Sequence, residues 1–294
     1  MTEDETRRAE PEPAIAASGG AKAELGLRIV SALLLGSVSV ALAWAGTLPF
    51  AALVLAVTLI LSWEWAHVVR GDGIDLALGI QFAAAIGAIG LAAFGFAALG
   101  VALLLIGTII VLALEFGERP ILSAAGVLYA GLPAVALIWL RSNEPMGFYA
   151  VLFILLVVAA TDTAAYFAGR SIGGPRLAPS ISPKKTWSGL LGGISAAGLT
   201  AGAFASSVGA PVLPLAVAGV AMGLVAQTGD LAESALKRAF HLKDASGLLP
   251  GHGGFMDRVD GLVPVAVLLA LVLLFLDPKA PADALFSGLF PAQR

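Results

Sequence analysis

Nine Asp, Glu, Lys and Arg side chains, Asp230, Glu233, Lys237, Arg238, Lys243, Asp244, Asp257, Arg258 and Asp260, lie between Gly229 and Asp260 of a 294-residue chain in which only 13% of residues are charged. Asp230, Glu233, Ser234 and Lys237 recur three and four residues apart, a spacing that puts them on one face of a helix. Asp257 and Asp260, also three apart, open the next apolar run and can bring a second pair of carboxylates to the same place. Hard oxygen donors in that number suit Mg²⁺, which takes one or two carboxylates together with the phosphate oxygens of a substrate. The competing reading is a set of interfacial charges paired with Lys237, Arg238 and Arg258. Carboxylates at the ends of two apolar helices, joined by a glycine-rich loop, favour a site for the set as a whole.

Two further segments carry matching chemistry. Pro250-Gly251-His252-Gly253-Gly254 surrounds one imidazole with glycines, whose backbone lets N–H groups approach an anion closely, although such a pentapeptide alone is most often a tight turn. Ser180-Ile-Ser182-Pro-Lys184-Lys185-Thr186-Trp187 interleaves hydroxyls with two lysines before a helix start, an arrangement that can hold a polyphosphate, although a bare lysine pair more often only anchors topology. Asp162 and Tyr166 stand four apart near the end of an apolar run, where a carboxylate is costly unless it faces a polar cavity. Glu64 and His67 share a helix face near a span end, where snorkelling or a local pair competes with a role in the site. Glu115 reads as interfacial and His241 as a loop surface residue.

The elements that must position these residues are membrane helices. At 59% hydrophobic residues, with long runs of Ala, Leu, Val and Gly, the chain reads as an all-α polytopic membrane protein. About nine spans are expected, over 27–46, 49–69, 75–93, 96–114, 121–140, 147–168, 188–208, 211–229 and 261–276; the joint Phe94-Gly95-Phe96 between the third and fourth leaves eight as the other count. With the N-terminus inside, fourteen of the seventeen Lys and Arg fall on the cytoplasmic side and only Arg141, Lys279 and Arg294 outside. Both polar loops, 169–187 and 230–260, then face the cytoplasm. Residues 1–26 read as a disordered cytoplasmic tail without signal-peptide pattern, 27–145 as N-terminal membrane helices, 146–276 as the catalytic membrane region and 277–294 as a C-terminal tail, in which Ala284–Phe290 can lie at the outer interface. The absence of Cys rules out disulfides and thiolate metal sites, and a net charge of −3 gives no ground for a nucleic-acid partner.

The run Ser234-Ala-Leu-Lys237-Arg238, Lys243-Asp244, Pro250-Gly-His252-Gly253-Gly254 and Asp257-Arg258-Val-Asp260 resembles the signature of phosphatidate cytidylyltransferases, the CDP-diacylglycerol synthases. Asp162-Thr-Ala-Ala-Tyr166-Phe-Ala-Gly169-Arg170 and Ser182-Pro-Lys184-Lys185-Thr186-Trp187 also resemble family segments, so the likeness covers roughly 150–262; in the first five spans it is confined to hydrophobic character, Arg28 and Glu64. The chain departs from the pattern at Ser188, where an acidic residue is common, and at Ala245-Ser246-Gly247, where a Ser-Gly-Thr-like triplet is. The resemblance implies transfer of CMP from CTP to phosphatidic acid, giving CDP-diacylglycerol and pyrophosphate, with Mg²⁺ and a second cation as an option. It implies Asp230 and Asp257 as principal metal ligands, with Asp260 and Asp162 in support. Lys184, Lys185, Lys237 and Arg258 are then the candidates to neutralise the triphosphate, and Ser182, Thr186, Ser234, Gly253, Gly254 and Tyr166 join them as substrate-binding positions. A homodimer is one assembly the sequence allows, and a bacterial inner membrane is the expected location.

Such a reaction needs no strong base, because the attacking phosphate oxygen is already anionic; the task is to bring two polyanions together. His252 is therefore expected to donate a hydrogen bond or shape its loop. Two other functions stay open on the residues alone. A CTP-dependent lipid-alcohol kinase would move the γ-phosphoryl group, and a secondary transporter would place polar groups near mid-bilayer in paired repeats rather than at one surface.

Overall fold

The computed structural model describes residues 34–71, 74–114, 119–248 and 253–287. The chain divides into a unit over Met1–Val38, of which only residues 34–38 are described, and a unit over Ser39–Arg294. His252, Arg28 and Glu115 lie outside the described residues.

The helices are α1 (Leu34–Ala45), α2 (Thr47–Arg70), α3 (Leu76–Ala93), α4 (Ala97–Leu114), α5 (Pro120–Arg141), α6 (Gly147–Ser171), α7 (Trp187–Val208), α8 (Val212–Ala239), α9 (Met256–Val259), α10 (Leu262–Leu276) and α11 (Pro281–Ser287). Local chemistry sets their ends. The Asp75 carboxylate caps α3 by accepting the Leu78 N–H at 2.7 Å, Pro120 occupies the first turn of α5, and Gly209 closes α7 in the left-handed region at φ 72°. The expected weak joint at residues 94–96 is a turn at Gly95, whose φ of 90° suits glycine and which separates two full helices.

Among the described residues seven helices, α2 to α8, are long and apolar enough to cross a membrane, and eight if α10 and α11, bent by 86° from each other, form one broken span. This is the expected all-α membrane architecture. The first expected span is described only from Leu34, and the ninth is the 15-residue α10. The eighth helix is longer than the 211–229 expected. At 28 residues α8 extends about 42 Å against a hydrocarbon core of about 30 Å, so its last turns, with Asp230, Glu233, Ser234 and Lys237, project to the interface.

One feature of the 169–187 segment was not foreseen: an antiparallel hairpin of β1 (Arg176–Ala178) and β2 (Ser182–Thr186), with Arg176 opposite Thr186 and Ala178 opposite Ser182. It carries both lysines directly into the start of α7. Behind it, α6, α7 and α8 pack through small residues. A side chain at Gly193 would begin 3.0 Å from the Thr161 carbonyl oxygen, and one at Gly219 2.7 Å from that of Ala197.

Polar contacts sort to two ends of the bundle. At one end Arg141 donates to the Ala43 carbonyl and pairs with Glu144, while Asn143 bonds Asp283 and the backbone N–H of Ala282. At the other are Arg70 with Asp75, Arg119 stacked over Phe240, Lys185 with Asp230, and Glu64 with the segment around Phe255.

Candidate active site

The site is built where the C-terminal turns of α8 meet the hairpin on one side and the α9–α10 junction on the other. Glycine makes the second approach close: a Cβ at Gly229 would stand 2.5 Å from the Asp260 carbonyl oxygen and 2.5 Å from Pro264, and one at Gly261 3.2 Å from the Ala226 Cβ. Asp230 and Asp260, each adjacent to one of these glycines, are thereby carried on touching backbone.

Two lysine and carboxylate groupings span the site. Lys185 of β2 lies 2.7 Å from Asp230 Oδ2 on α8 and also donates to the Gln227 carbonyl at 3.3 Å. The Gln227 amide reaches Asp162 Oδ1 on α6 at 3.4 Å, so Asp162, Gln227, Lys185 and Asp230 form one chain of contacts across α6, β2 and α8. Ser234 donates to Asp230 Oδ1 at 3.4 Å. One turn further along α8, Lys237 is 8% exposed and lies between Glu233, 3.1 Å away, and Asp257 of α9, to which it donates. Asp257 also accepts the N–H groups of Gly254 at 2.8 Å and Ala245 at 3.3 Å.

Electrostatics separates the two aspartates of the α9 segment. Burial pushes the Asp257 carboxyl upward, but the Lys237 hydrogen bond and charge and the Gly254 N–H outweigh it and hold the group below the usual carboxylate range. Asp260 goes the other way. Burial, then the charges of Asp230 and Glu233 and, more weakly, Asp162, raise it well above that range. The described residues thus hold a carboxyl group crowded by like charge beside carboxylates already neutralised by lysine.

The other expected site residues are placed as follows. Thr186 caps α7, its hydroxyl accepting the Gly189 N–H at 3.1 Å and lying 3.0 Å from that of Ser188. Ser188, the departure from the acidic pattern, donates to the Gly173 carbonyl at 2.5 Å and so ties the hairpin to α7. Lys184 is exposed on β2, Ser182 begins the strand half-buried, and Arg258 is exposed on α9. The Tyr166 hydroxyl accepts from Arg170 at 2.8 Å on the exposed end of α6. Gly253 holds φ 77°, and a Cβ there would meet Asp257 Oδ2 at 3.0 Å. His241, expected at the surface, is exposed.

Glu64 and Gln227 are the residues that sequence reasoning undervalued. Glu64 was detectable as a charged side chain inside an apolar helix and Gln227 as an amide one turn before Asp230, but Glu64 near a helix end resembles a snorkelling residue until its partners are seen. Those partners are the Ser246 hydroxyl and the Phe255 and Met256 N–H groups. Tyr129 of α5 stacks on Trp65, with ring centroids 4.5 Å apart, and buries its hydroxyl beside the same cluster.

The model of the cytidylyltransferase family matches residues 26–276. The chain belongs to the cytidylyltransferase family. A phosphatidate cytidylyltransferase of Brucella melitensis is 40% identical over 270 residues, covering 88% of this chain and 97% of its own length. Proteins of the same name from Bacillus subtilis and Rickettsia bellii are each 36% identical, over 160 and 155 residues, covering 54% and 50% of this chain and 59% and 67% of their own. The family assignment thus covers all seven long spans and the polar site, including the first five spans, where motif resemblance was thinnest.

Proposed function

We propose that this chain transfers the cytidylyl group of CTP to phosphatidic acid, giving CDP-diacylglycerol and pyrophosphate. Family membership over 26–276 gives the reaction class, and the observation that carries the reading is the Lys185–Asp230 ion pair, which joins the lysine-bearing hairpin to the acidic face of α8. In the reaction a phosphate oxygen of phosphatidic acid attacks the α-phosphorus of CTP, the bond to the β-phosphate bridging oxygen breaks, and pyrophosphate leaves in line. Lys184, Lys185 and Arg258 offer positive charge to the triphosphate, and Lys237, wedged between Glu233 and Asp257, balances the carboxylates beneath it. The lipid phosphate supplies the nucleophile, so the step needs no covalent intermediate on a protein side chain.

Mg²⁺ belongs to this proposal. Among the described residues no three His, Asp or Glu side chains form a cage for a metal ion. A cation held by one or two carboxylates and completed by substrate phosphate oxygens needs no such cage, and the like charge around Asp260 suits one. Asp230, Asp257 and Asp260 are the residues that would hold it. When bound, it would neutralise charge on the reacting phosphates.

CTP is soluble and the lipid headgroup interfacial, so the site must open to both. The charge bias of fourteen Lys and Arg to three supports a cytoplasmic face for it, and the bacterial relatives support the plasma membrane. The homodimer remains an expectation for size measurement in detergent. Purified protein given CTP with phosphatidic acid or, separately, with diacylglycerol, with and without Mg²⁺, tests the reading: CDP-diacylglycerol and pyrophosphate in equal amounts from phosphatidic acid are expected, and phosphorylated diacylglycerol with CDP would replace it by the kinase.

A further inference from the structure

Glu64 sits on α2, far in sequence from the acidic cluster, yet its carboxylate makes its contacts there. It is fully buried, at 0% exposure. Oε1 accepts the Ser246 hydroxyl at 2.5 Å and the Phe255 N–H at 2.7 Å, and Oε2 accepts the Met256 N–H at 2.5 Å. Ser246 precedes the glycine-rich segment, and Phe255 and Met256 follow it at the start of α9. One carboxylate therefore joins the turn at Ser246 to the start of α9. Gly254 packs directly on this contact: a Cβ there would fall 2.8 Å from Glu64 Oε1 and 2.8 Å from the Ala245 Cβ. The Ser246 hydroxyl in turn accepts the Leu248 N–H at 3.2 Å.

The same two strands of chain are joined a second time, by the candidate active-site residue itself. Asp257 accepts from Ala245 on one side and Gly254 on the other while receiving Lys237 from α8. Glu64 lies on the α2 side of this junction and Lys237 on the α8 side. Their carboxylate and ammonium groups reach the junction from opposite helices.

We infer that Glu64 is a positioning residue: from α2 it joins the turn at Ser246 to the start of α9 and fixes the register of α9, so that Asp257 is held between Lys237 and the N–H groups of Ala245 and Gly254. Charged acceptors make stronger hydrogen bonds than neutral ones, and loss of this one leaves one buried and two half-buried donors to find new partners. Being fully buried, Glu64 acts through α9 and makes no contact with substrate. A glutamine is close in shape, but its amide nitrogen cannot accept from the donors that one of the two oxygens serves.

The inference rests on reading Asp257 as part of the active site, so its test has one arm that does not use the reaction. Backbone hydrogen exchange and steady-state kinetics are measured on full-length wild type, Glu64→Gln and Ser246→Ala in detergent. In Glu64→Gln, exchange at residues 254–258 is expected to rise toward that of an open loop while α6, α7 and α8 stay protected, and kcat to fall about 100-fold with KM for CTP within about threefold. Ser246→Ala, which removes one of the three bonds, is expected to raise exchange at Leu248 and lower kcat by about threefold to tenfold. Should Glu64→Gln fail to insert, Ser246→Ala decides alone, by a smaller rise in exchange at 254–258. Unchanged exchange at 254–258 in the variant that inserts overturns the inference, as does a rise in KM with kcat kept, which would make Glu64 a substrate contact. A wild type that makes no CDP-diacylglycerol overturns the functional reading, whereas the exchange result still decides the role of Glu64.

Discussion

Asp257 accepts from Lys237 and from the Gly254 and Ala245 N–H groups, and this environment indicates what to expect of its removal. Lys237 and two backbone N–H groups hold it ionised below the usual carboxylate range, so its contribution should persist across the whole neutral and mildly acidic interval. Asp257→Ala is expected to abolish turnover, by at least about 1,000-fold, at every pH while the protein remains inserted. His252→Gln is expected to keep measurable activity, since an already anionic nucleophile needs no base. Initial rates from pH 6 to 9 on both variants check this, and equal, complete loss in both would contradict the assignment. Lys185 bridges Asp230 and the Gln227 carbonyl, so Lys185→Ala should lower kcat/KM for CTP by about 100-fold and leave folding intact, as read by elution profile and initial rates. Much at this level was legible in the sequence: the spacing of Asp230, Glu233, Ser234 and Lys237 gave their common helix face, and that face now points to β2 and α9. Glu64 was not, because its significance lies in partners more than 180 residues away, and nothing in a local pattern encodes such a contact.

Helices and turns set the accuracy with which these side chains meet. The contact between α8 and the α9–α10 junction leaves no room at Gly229, where a Cβ would stand 2.5 Å from both Asp260 O and Pro264. Gly229→Val is expected to push the two apart, costing about 1–3 kcal/mol of stability, and to lower activity in the folded fraction; thermal unfolding in detergent and specific activity report the two effects. At α3, burial raises the Asp75 carboxyl, but Arg70 and the Leu78 N–H outweigh it, leaving its folded value below the unfolded one. The stabilisation it supplies is therefore complete above the unfolded value of about 3.9 and lost as pH falls through the lower folded value. Asp75→Asn keeps a capping oxygen and loses the ion pair, so it should cost less than about 1 kcal/mol at pH 7 and progressively less as pH falls through the lowered folded value; melting curves at pH 7 and through the acid range check it. Helix existence was readable from apolar length. The hairpin was not, since β1 and β2 are three and five residues long and the lysine-rich strand has no apolar alternation, its shape depending on Thr186 and Ser188 closing onto α7 and Gly173.

For the molecule as a whole, the two polar ends of the bundle and the charge bias make a topological prediction. The chain contains no Cys, so single cysteines can be introduced on a clean background. Ser180→Cys, at the hairpin turn, should react with a membrane-impermeant thiol reagent only from the cytoplasmic side, and Lys279→Cys only from the opposite side. Reaction of both from one side would contradict the arrangement. The count of spans was the least legible property at this level, because α10 is shorter than a full crossing and turns sharply into α11, an event that composition does not register. The assembly of loops from both halves of the chain at one end, by contrast, followed from alternation of spans and the placement of Lys and Arg. The central claim is that this assembly moves a cytidylyl group. The most direct measurement supplies CTP labelled on the α-phosphate or, separately, on the γ-phosphate, to purified protein with phosphatidic acid and Mg²⁺ and follows label into extracted lipid. Lipid label from the α-position alone is the predicted result; lipid label from the γ-position, or none from the α-position, would contradict it.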